Sequence, residues 1–382
     1  MDRSDLEVIL SDFLGDNEDV SGFNFSPGNF IRAELYGRLA SPPALEDMGI
    51  LDSEDTQIIA EILLEDKPDL QTELETNGSC DFSFILAETN RFRANIFRQS
   101  GKYSVVLRRL SSEILSLDDL DSPDIFKKVA FEHNGLVIVA GATNQGKSTT
   151  IAAMIHEINK NLPHHIVTLE DPIEFVHRPL ACVINQREKG SDFSTYREGL
   201  RAALRQSPHV ILIGEVRDAE EMEVVLSAAE TGHLVITTLH ATTVRGTIQR
   251  ITSMFKGSQE MEVRNRLATC LKWVVGQRLV PKIGGGRTAI HEILGNSYRM
   301  QEIIRKGEAP GRTYEQIMEQ NSHEGWQTYD QACLNAFKKH LISDETAVQH
   351  ATTPGHVGRA INHLQNSLRD VFSAPSGLRL AE

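Results

Sequence analysis

The chain has 382 residues, which is long enough for roughly two or three domains. Its composition, with 40% hydrophobic and 24% charged residues, is ordinary for a globular protein. The formal net charge is −14, from 39 basic and 53 acidic residues. This balance weighs against a nucleic-acid motor, because such proteins more often carry a basic surface, and we expect no nucleic-acid partner.

Two features bear on the cellular compartment. No apolar run approaches the roughly 18 residues that a membrane-spanning helix needs, and the acidic, polar N-terminus is unlike a signal peptide. The four cysteines lie far apart and form no Cys-x-x-Cys pair, so we expect buried free thiols rather than disulfides or a zinc site. These features predict a cytoplasmic protein with no direct membrane insertion.

Residues 1–112 predict a small α+β domain. A short helix is expected at 6–14, short strands between 23 and 39, and helix at 52–74. Three strand-like runs at 82–87, 92–97 and 103–110 follow, and the short turns between them indicate a meander. The polar, acidic segment 113–123 reads as a linker.

Residues 124–296 predict an α/β core. The strands are expected at 136–140, 166–169, 210–213 and 234–239. Their near-continuous Val, Ile and Leu residues indicate a mostly parallel sheet covered by helices on both faces. After residue 261 the pattern predicts helix, with a tight turn at 284–286. A region of short helices is expected at 297–366 and a flexible tail at 367–382.

A glycine-rich segment between a predicted strand and a predicted helix matches the phosphate-binding loop. Gly141 and Gly146 permit close approach of a phosphate, Lys147 supplies charge for the β- and γ-phosphates, and Ser148 offers a hydroxyl to Mg²⁺. The helix N-terminus adds backbone N–H groups and a positive dipole. We therefore expect a nucleoside triphosphate to bind at Gly141, Ala142, Thr143, Asn144, Gln145, Gly146, Lys147, Ser148 and Thr149.

Polar clusters end three further strands of the predicted sheet, where ligands of parallel sheets collect. In the first cluster, Glu170 and Asp171 are candidates to support Mg²⁺, partly through water. The alternative is that both residues cap a following helix, because Asp-Pro is a common helix entry.

The second and third clusters contain a candidate base and a candidate phosphate contact. In the usual motif an aspartate precedes this glutamate, but here Gly214 takes its place, so another residue must support Mg²⁺. Glu215 then remains as the carboxylate that can polarise the attacking water. The alternative is a structural ion pair of Glu215 with Arg217 or Arg205. His240 ends the next buried strand and is a candidate contact to the γ-phosphate, although a lone histidine is more often a core residue.

These clusters resemble named motifs of the type II/IV secretion ATPase superfamily. Residues 168–177 resemble its Asp box, 214–218 its atypical Walker B element and 231–240 its His box. Within the superfamily the chain is most similar to the retraction ATPases of type IV pili, the PilT and PilU group. It departs from the usual phosphate loop at Asn144 and Gln145, where Gly-Ser is usual.

The resemblance implies a RecA-like P-loop ATPase domain with a smaller, PAS-like N-terminal α+β domain, assembled as a homohexamer. It implies ATP and Mg²⁺ as cofactors. Arg93 and Arg108 match arginine-bearing strands from which the N-terminal domain reaches the nucleotide, so both are candidate catalytic residues with Glu215, Glu170 and His240. For either arginine the alternative is a surface ion pair within the acidic N-terminal domain.

The function implied is ATP-driven retraction of a type IV pilus, and hence twitching motility, at the cytoplasmic face of the inner membrane. The implied partners are an inner-membrane platform protein and a paralogous retraction ATPase. One alternative is a pilus assembly ATPase, which usually carries paired cysteines and a longer N-terminal region. Others are the ATPase of a type IV conjugation or effector secretion system, a nucleic-acid motor, and a nucleotide-binding regulator with little turnover.

Overall fold

The computed structural model describes residues 3–16, 20–35, 38–46, 49–86, 90–110 and 113–373. The chain divides into two compact units. The first comprises the residues up to Ile114 together with His165–Ser207, and the second comprises Leu115–His164 and the residues from Pro208 onward.

The N-terminal part of the chain contains four helices and six strands in its described residues. The helices are α1 (Arg3–Asp16), α2 (Pro43–Glu46), α3 (Ser53–Leu64) and α4 (Pro68–Asn77). The strands are β1 (Val20–Phe25), β2 (Arg32–Leu35), β3 (Arg38–Ala40), β4 (Ser79–Leu86), β5 (Asn90–Gln99) and β6 (Lys102–Leu110).

These six strands form one antiparallel sheet in the order β3-β2-β1-β6-β5-β4. The predicted meander is its β4-β5-β6 portion, in which Phe84 lies opposite Phe92 and Ala94 opposite Leu107. Alternate side chains of β4 are buried, because one face of the sheet packs on the core with α1 and α3. The α+β prediction for this part of the chain is confirmed.

The remaining chain alternates strands and helices and then becomes helical. Its strands are β7 (Gly135–Ala140), β8 (His165–Glu170), β9 (Val183–Glu188), β10 (Val210–Ile213), β11 (Leu234–Leu239), β12 (Leu271–Pro281) and β13 (Arg287–Gly295). Its first helices are α5 (Ile125–Ala130), α6 (Lys147–Asn161), α7 (Tyr196–Ala203), α8 (Ala219–Glu230), α9 (Val244–Ser253) and α10 (Ser258–Cys270). The last are α11 (Tyr298–Lys306), α12 (Tyr314–Gln320), α13 (Tyr329–Lys338), α14 (Asp344–His350) and α15 (Pro354–Ser373), and short 3₁₀ helices lie at Leu204–Gln206 and Ser322–Glu324.

The sheet strands that belong to the second unit run in the order β13-β12-β7-β11-β10. The pairs β10–β11, β11–β7 and β7–β12 are parallel, and the pair β12–β13 is antiparallel. Every residue of β7 and β11 is buried, as the apolar runs predict for strands covered on both faces. The predicted α/β class of this domain is confirmed.

In the first unit, β8 and β9 pair in parallel. Glu188, at the end of β9, accepts a hydrogen bond from Ser83 Oγ of β4 at 2.8 Å and another from Ile173 N at 3.1 Å. This buried carboxylate therefore joins the β8–β9 pair to the antiparallel sheet of the same unit.

The prediction of helix throughout the region after residue 261 is wrong for 271–295, which form the hairpin β12–β13. β12 is buried on both faces, so its apolar residues show no alternation, and a short buried run cannot be told from helix by periodicity alone. The tight turn is confirmed, because the glycines at 284–286 all have positive φ angles of 90°, 104° and 75°.

The helical region after residue 297 is present as predicted. α15 runs to Ser373, into the first part of the predicted tail, and residues 374–382 lie outside the described part of the chain. Among the described residues, no helix combines the length and apolar character needed to cross a membrane.

Candidate nucleotide-binding site

The phosphate loop lies between the end of β7 and the start of α6. Gly141 N donates a hydrogen bond to Leu239 O at 3.2 Å, and Thr150 N donates to Gly146 O at 3.1 Å. Gly146 is the residue before α6 and has a φ of 75°, while Asn144 has a φ of 61°. The structure thus contains the strand, turn and helix N-terminus that were inferred from the glycine pattern.

Strand β12 approaches both glycines of the motif closely. A Cβ atom at Gly141 would lie 2.8 Å from Gln277 O, and a Cβ at Gly146 would lie 3.1 Å from Gln277 Nε2. Since the first approach is to backbone, it leaves no space for a side chain. The loop therefore packs closely against β12 through contacts that involve no ligand.

Lys147, at the C-terminal end of the loop, bonds back to residues at its start. Its Nζ atom donates to Gly141 O at 2.9 Å and to Ala142 O at 2.8 Å. An ammonium group has three donors on a flexible stem, so the same group can turn towards a bound phosphate. Ser148 and Thr149 lie beside it in the first turn of α6.

Gln277 of β12 is a site residue that sequence reasoning missed. Its buried amide accepts from Thr150 Oγ1 at 2.8 Å and donates to Gln145 O at 2.7 Å. It thereby joins α6 and the loop to the neighbouring strand. The available signal is an amide within a segment rich in apolar residues, but the pattern after residue 261 predicts helix there.

Glu215 lies just beyond β10 in a backbone position fixed by β11. Thr238 Oγ1 donates to Gly214 O at 2.6 Å, and Val216 N donates to Thr238 O at 3.2 Å. The Glu215 carboxylate lies 3.1 Å from His240 Nε2 through one oxygen and 3.3 Å from Arg217 Nε through the other. The pairing with Arg217 considered as an alternative is present, and the contact with His240 accompanies it.

The strand register brings these groups to one edge of the sheet. Leu239 of β11 lies opposite Ala140 of β7, and Ile213 of β10 lies opposite Thr237 of β11. The residues that follow the three strands are therefore neighbours, which places the phosphate loop, His240 and Glu215 together.

His233, at the start of β11, lies away from this edge. Its Nδ1 atom is 3.2 Å from Ala228 O and 3.1 Å from Thr231 Oγ1, at the end of α8. The length of β11 separates it from His240 by about 20 Å at roughly 3.3 Å per residue. Of the two histidines that bracket this strand, only His240 lies at the edge with the phosphate loop.

Glu170 and Asp171 belong to the first unit. Burial raises the pKa of Glu170 to about 7, although hydrogen bonds from Thr168 Oγ1 at 2.6 Å and Gln186 Nε2 at 3.2 Å oppose the shift. Asp171 pairs with Lys189 at 3.4 Å. Because the described chain forms no helix between Glu170 and Val183, the helix-capping alternative for this cluster is wrong.

Arg93 and Arg108 lie directly opposite each other on β5 and β6. Opposed residues of an antiparallel pair share one face of the sheet, and like charges there repel. Arg93 Nε is 3.5 Å from Asp81 Oδ1, with both side chains largely exposed. A surface ion pair within the N-terminal domain, the alternative role for these arginines, is therefore present at Arg93. It offsets the charge of that arginine.

Glu292 of β13 anchors the segment that follows His240. Its Oε2 atom accepts from Val244 N, the first residue of α9, at 2.6 Å. The side chain is buried, and burial raises its pKa to about 7. The position of the 240–244 segment is thus tied to a carboxyl group that is costly to ionise.

Comparison with known proteins identifies the family. The family model for type II/IV secretion system proteins matches residues 56–285. The type IV pilus retractation ATPase PilT of Pseudomonas aeruginosa is 42% identical over 288 residues, covering 75% of this chain and 82% of that protein. The type IV pilus ATPase PilU of the same organism is 41% identical over 276 residues, covering 72% of each chain.

A solved structure agrees with these relatives. The crystal structure of the pilus retraction motor PilT with bound ADP superposes with a TM-score of 0.78 at 36% identity. The match covers 89% of this chain and 95% of that one. It confirms the predicted fold class of an ATPase domain with an additional N-terminal domain.

The raised pKa of Glu292 makes stability depend on pH. The folded chain binds this proton more tightly than the unfolded chain, whose glutamate has its ordinary pKa of 4.5, so the contribution of Glu292 to stability falls as pH rises from about 4.5 to 7. Glu292→Gln keeps an acceptor for Val244 N without a charge. We expect near parity with wild type at pH 5 and a variant more stable at pH 8, by at most about 3 kcal/mol.

Urea unfolding at the two pH values measures this difference in stability. Glu319→Gln is the matched control, because Glu319 is an exposed residue of α12. A Glu292→Gln effect that is the same at pH 5 and pH 8 would contradict the assignment.

Proposed function

Because the chain belongs to the type II/IV secretion system protein family, we propose that it is an ATP hydrolase that drives retraction of a type IV pilus. The observation that carries the proposal is the phosphate loop placed beside Glu215 and His240 at one sheet edge. A loop of this kind binds triphosphates, and the neighbouring carboxylate and imidazole are the groups that phosphoryl transfer to water requires.

The loop residues hold the triphosphate. Backbone N–H groups at the start of α6 face the phosphates, and the Lys147 ammonium exchanges its carbonyl partners for the β- and γ-phosphates. Gly141 and Gly146 keep the backbone close to β12, which supports a fixed position for the phosphates. Asn144 tolerates the left-handed conformation in which it lies.

Mg²⁺ fits this arrangement as a nucleotide-bound ion. Among the described residues, no group of three or more His, Cys, Asp or Glu side chains could hold a metal alone. Mg²⁺ usually keeps waters and binds one or two protein groups plus substrate phosphates. Ser148 would bind it directly, with Glu170 and Asp171 acting partly through water. The bound ion would neutralise charge on the phosphate oxygens.

Glu215 orients the attacking water, and His240 contacts the γ-phosphate. The two side chains now contact each other at 3.1 Å, so a γ-phosphate would compete with Glu215 for the imidazole. Glu170, with a pKa of about 7, can accept or release a proton near neutral pH and is the second carboxyl assigned to catalysis.

Arg93 and Arg108 reach the nucleotide from the N-terminal domain in a homohexamer. Their opposed positions on one sheet face support an anionic ligand, because a phosphate would relieve the repulsion between two guanidinium groups. An arginine that contacts the transferring phosphoryl group can accelerate hydrolysis roughly 10³- to 10⁵-fold.

The cellular role follows from the pilus ATPases that the chain resembles. We assign it to the cytoplasmic face of the inner membrane, where it acts on a platform protein of the pilus machine together with a paralogous retraction ATPase. We propose domain boundaries that give an N-terminal domain at 1–112, a linker at 113–123, an ATPase core at 124–296, a helical region at 297–366 and a tail at 367–382, whose first residues continue α15 to Ser373.

Deletion of the gene in the source organism tests the direction of force. Loss of retraction should leave cells with excess surface pili and no twitching, scored by electron microscopy and by motility on agar. Complementation with the wild-type gene is the control. Cells without pili would instead indicate an assembly ATPase.

Substitution of Glu215 separates binding from hydrolysis. Glu215→Gln should bind ATP with near wild-type affinity but hydrolyse it at least tenfold more slowly, because the amide keeps the shape of the side chain and cannot polarise water. Equilibrium binding and phosphate release measure the two effects. Loss of binding would show that Glu215 has a structural or metal-binding role.

Mixed assemblies test the action of arginine between subunits. Arg93→Ala and Lys147→Ala proteins should each be nearly inactive alone, and mixing them should restore some ATPase activity because a mixed interface contains one intact site. Arg38→Ala, an exposed arginine on β3, should remain active. Intact hexamers with no rescue would contradict an arginine supplied by a neighbouring subunit.

A further inference from the structure

The side chain of Gln145 leaves the phosphate loop and bonds to the backbone of β12. β12 pairs with β7 only as far as Gly276, which lies opposite Ala140, because β7 then turns into the loop. Beyond that point Leu279 N donates to Gln145 Oε1 at 2.7 Å. The side-chain amide thus takes the place of the missing strand partner.

Residue 145 is held to β12 twice. Its carbonyl accepts from Gln277 Nε2 at 2.7 Å, two strand positions before the bond to Leu279 N. The first bond comes from a side chain of β12 and the second from its backbone, so the two contacts are independent. One loop residue is therefore fixed in both location and orientation by a rigid element of the sheet.

We propose that Gln145 is a positioning residue that latches the phosphate loop to β12 and thereby slows nucleotide release. This inference rests on the proposed function, in which the loop binds ATP and ADP. A loop that is already held in one conformation loses less conformational entropy when it binds a ligand. The latch therefore strengthens binding without any contact between the Gln145 side chain and the reacting atoms.

The bond can be removed with little change in size. Gln145→Met has a side chain of similar length but no oxygen acceptor for Leu279 N, whereas Gln145→Glu retains an acceptor. Gln249→Met, on the exposed part of α9, makes the same chemical change away from the loop. All variants are prepared as full-length protein in its native assembly.

The first readout is the latch itself. Hydrogen exchange at the Leu279 amide should accelerate in Gln145→Met and remain slow in Gln145→Glu and Gln249→Met. Unchanged protection of Leu279 in Gln145→Met would overturn the latch.

The second readout is nucleotide binding, measured with ADP by calorimetry and with a fluorescent ADP analogue by stopped flow. Loss of one neutral hydrogen bond should raise the Kd for ADP about fivefold in Gln145→Met, mostly through faster dissociation. The KM for ATP should rise while kcat is unchanged or higher, since the lost interaction is made equally in ground and transition states.

The outcomes separate the two hypotheses. A wild-type protein that binds no ADP overturns the proposed function together with the effect on release, whereas Leu279 exchange still reports the latch. A wild type that binds ADP, with Gln145→Met showing the same Kd or a lower kcat at unchanged KM, overturns the effect of the latch on nucleotide release and leaves the proposed function standing.

Discussion

The phosphate loop depends on one buried amide. Gln277 accepts a hydrogen bond from Thr150 and donates one to Gln145 O, and its amide side chain carries both functions. A leucine there would remove the partner of the buried Thr150 hydroxyl, at a cost of about 1–3 kcal/mol, and that of the partly buried Gln145 carbonyl. Because β12 is itself placed by its pairing with β7, the amide transfers the rigidity of the sheet to the loop.

The chemistry of the site follows from parallel pairing of β7, β11 and β10. Parallel strands in register end at the same edge, so three loops that are distant in sequence become neighbours. At that edge Glu215 is shared between His240 and Arg217, with all three side chains partly exposed. Ion pairs of this exposure contribute little to stability, which supports the proposal that the cluster serves phosphoryl transfer.

The parts of the fold and site predicted from sequence are those whose cause is local. The glycine spacing of the loop reflects backbone angles at residues such as Gly146, and the apolar runs of β7 and β11 reflect burial on both faces. The β12–β13 hairpin depends on pairing with β7, a contact far away in sequence, and its continuous burial conceals the strand period. Gln277 was missed for the same reason, since its partners are known only once β12 lies beside the loop.

The conformation of the loop and its contact with β12 explain how Asn144 and Gln145 replace the usual Gly-Ser. Glycine is common where φ is positive, but asparagine also tolerates this conformation, so Asn144 can occupy it. A longer side chain at 145 is accommodated because the sheet edge beside it has a donor to satisfy at Leu279. The departure from the usual pattern thus exchanges local flexibility for attachment to the sheet.

The two opposed arginines of the N-terminal sheet, unlike Gln145, do not stabilise the fold. Arg93 and Arg108 lie opposite each other, and Asp81 offsets only one of the two charges. Repulsion between directly opposed like charges disfavours the antiparallel pair. An anion bound by both guanidinium groups would turn this cost into a favourable interaction, which is the role proposed for the two arginines.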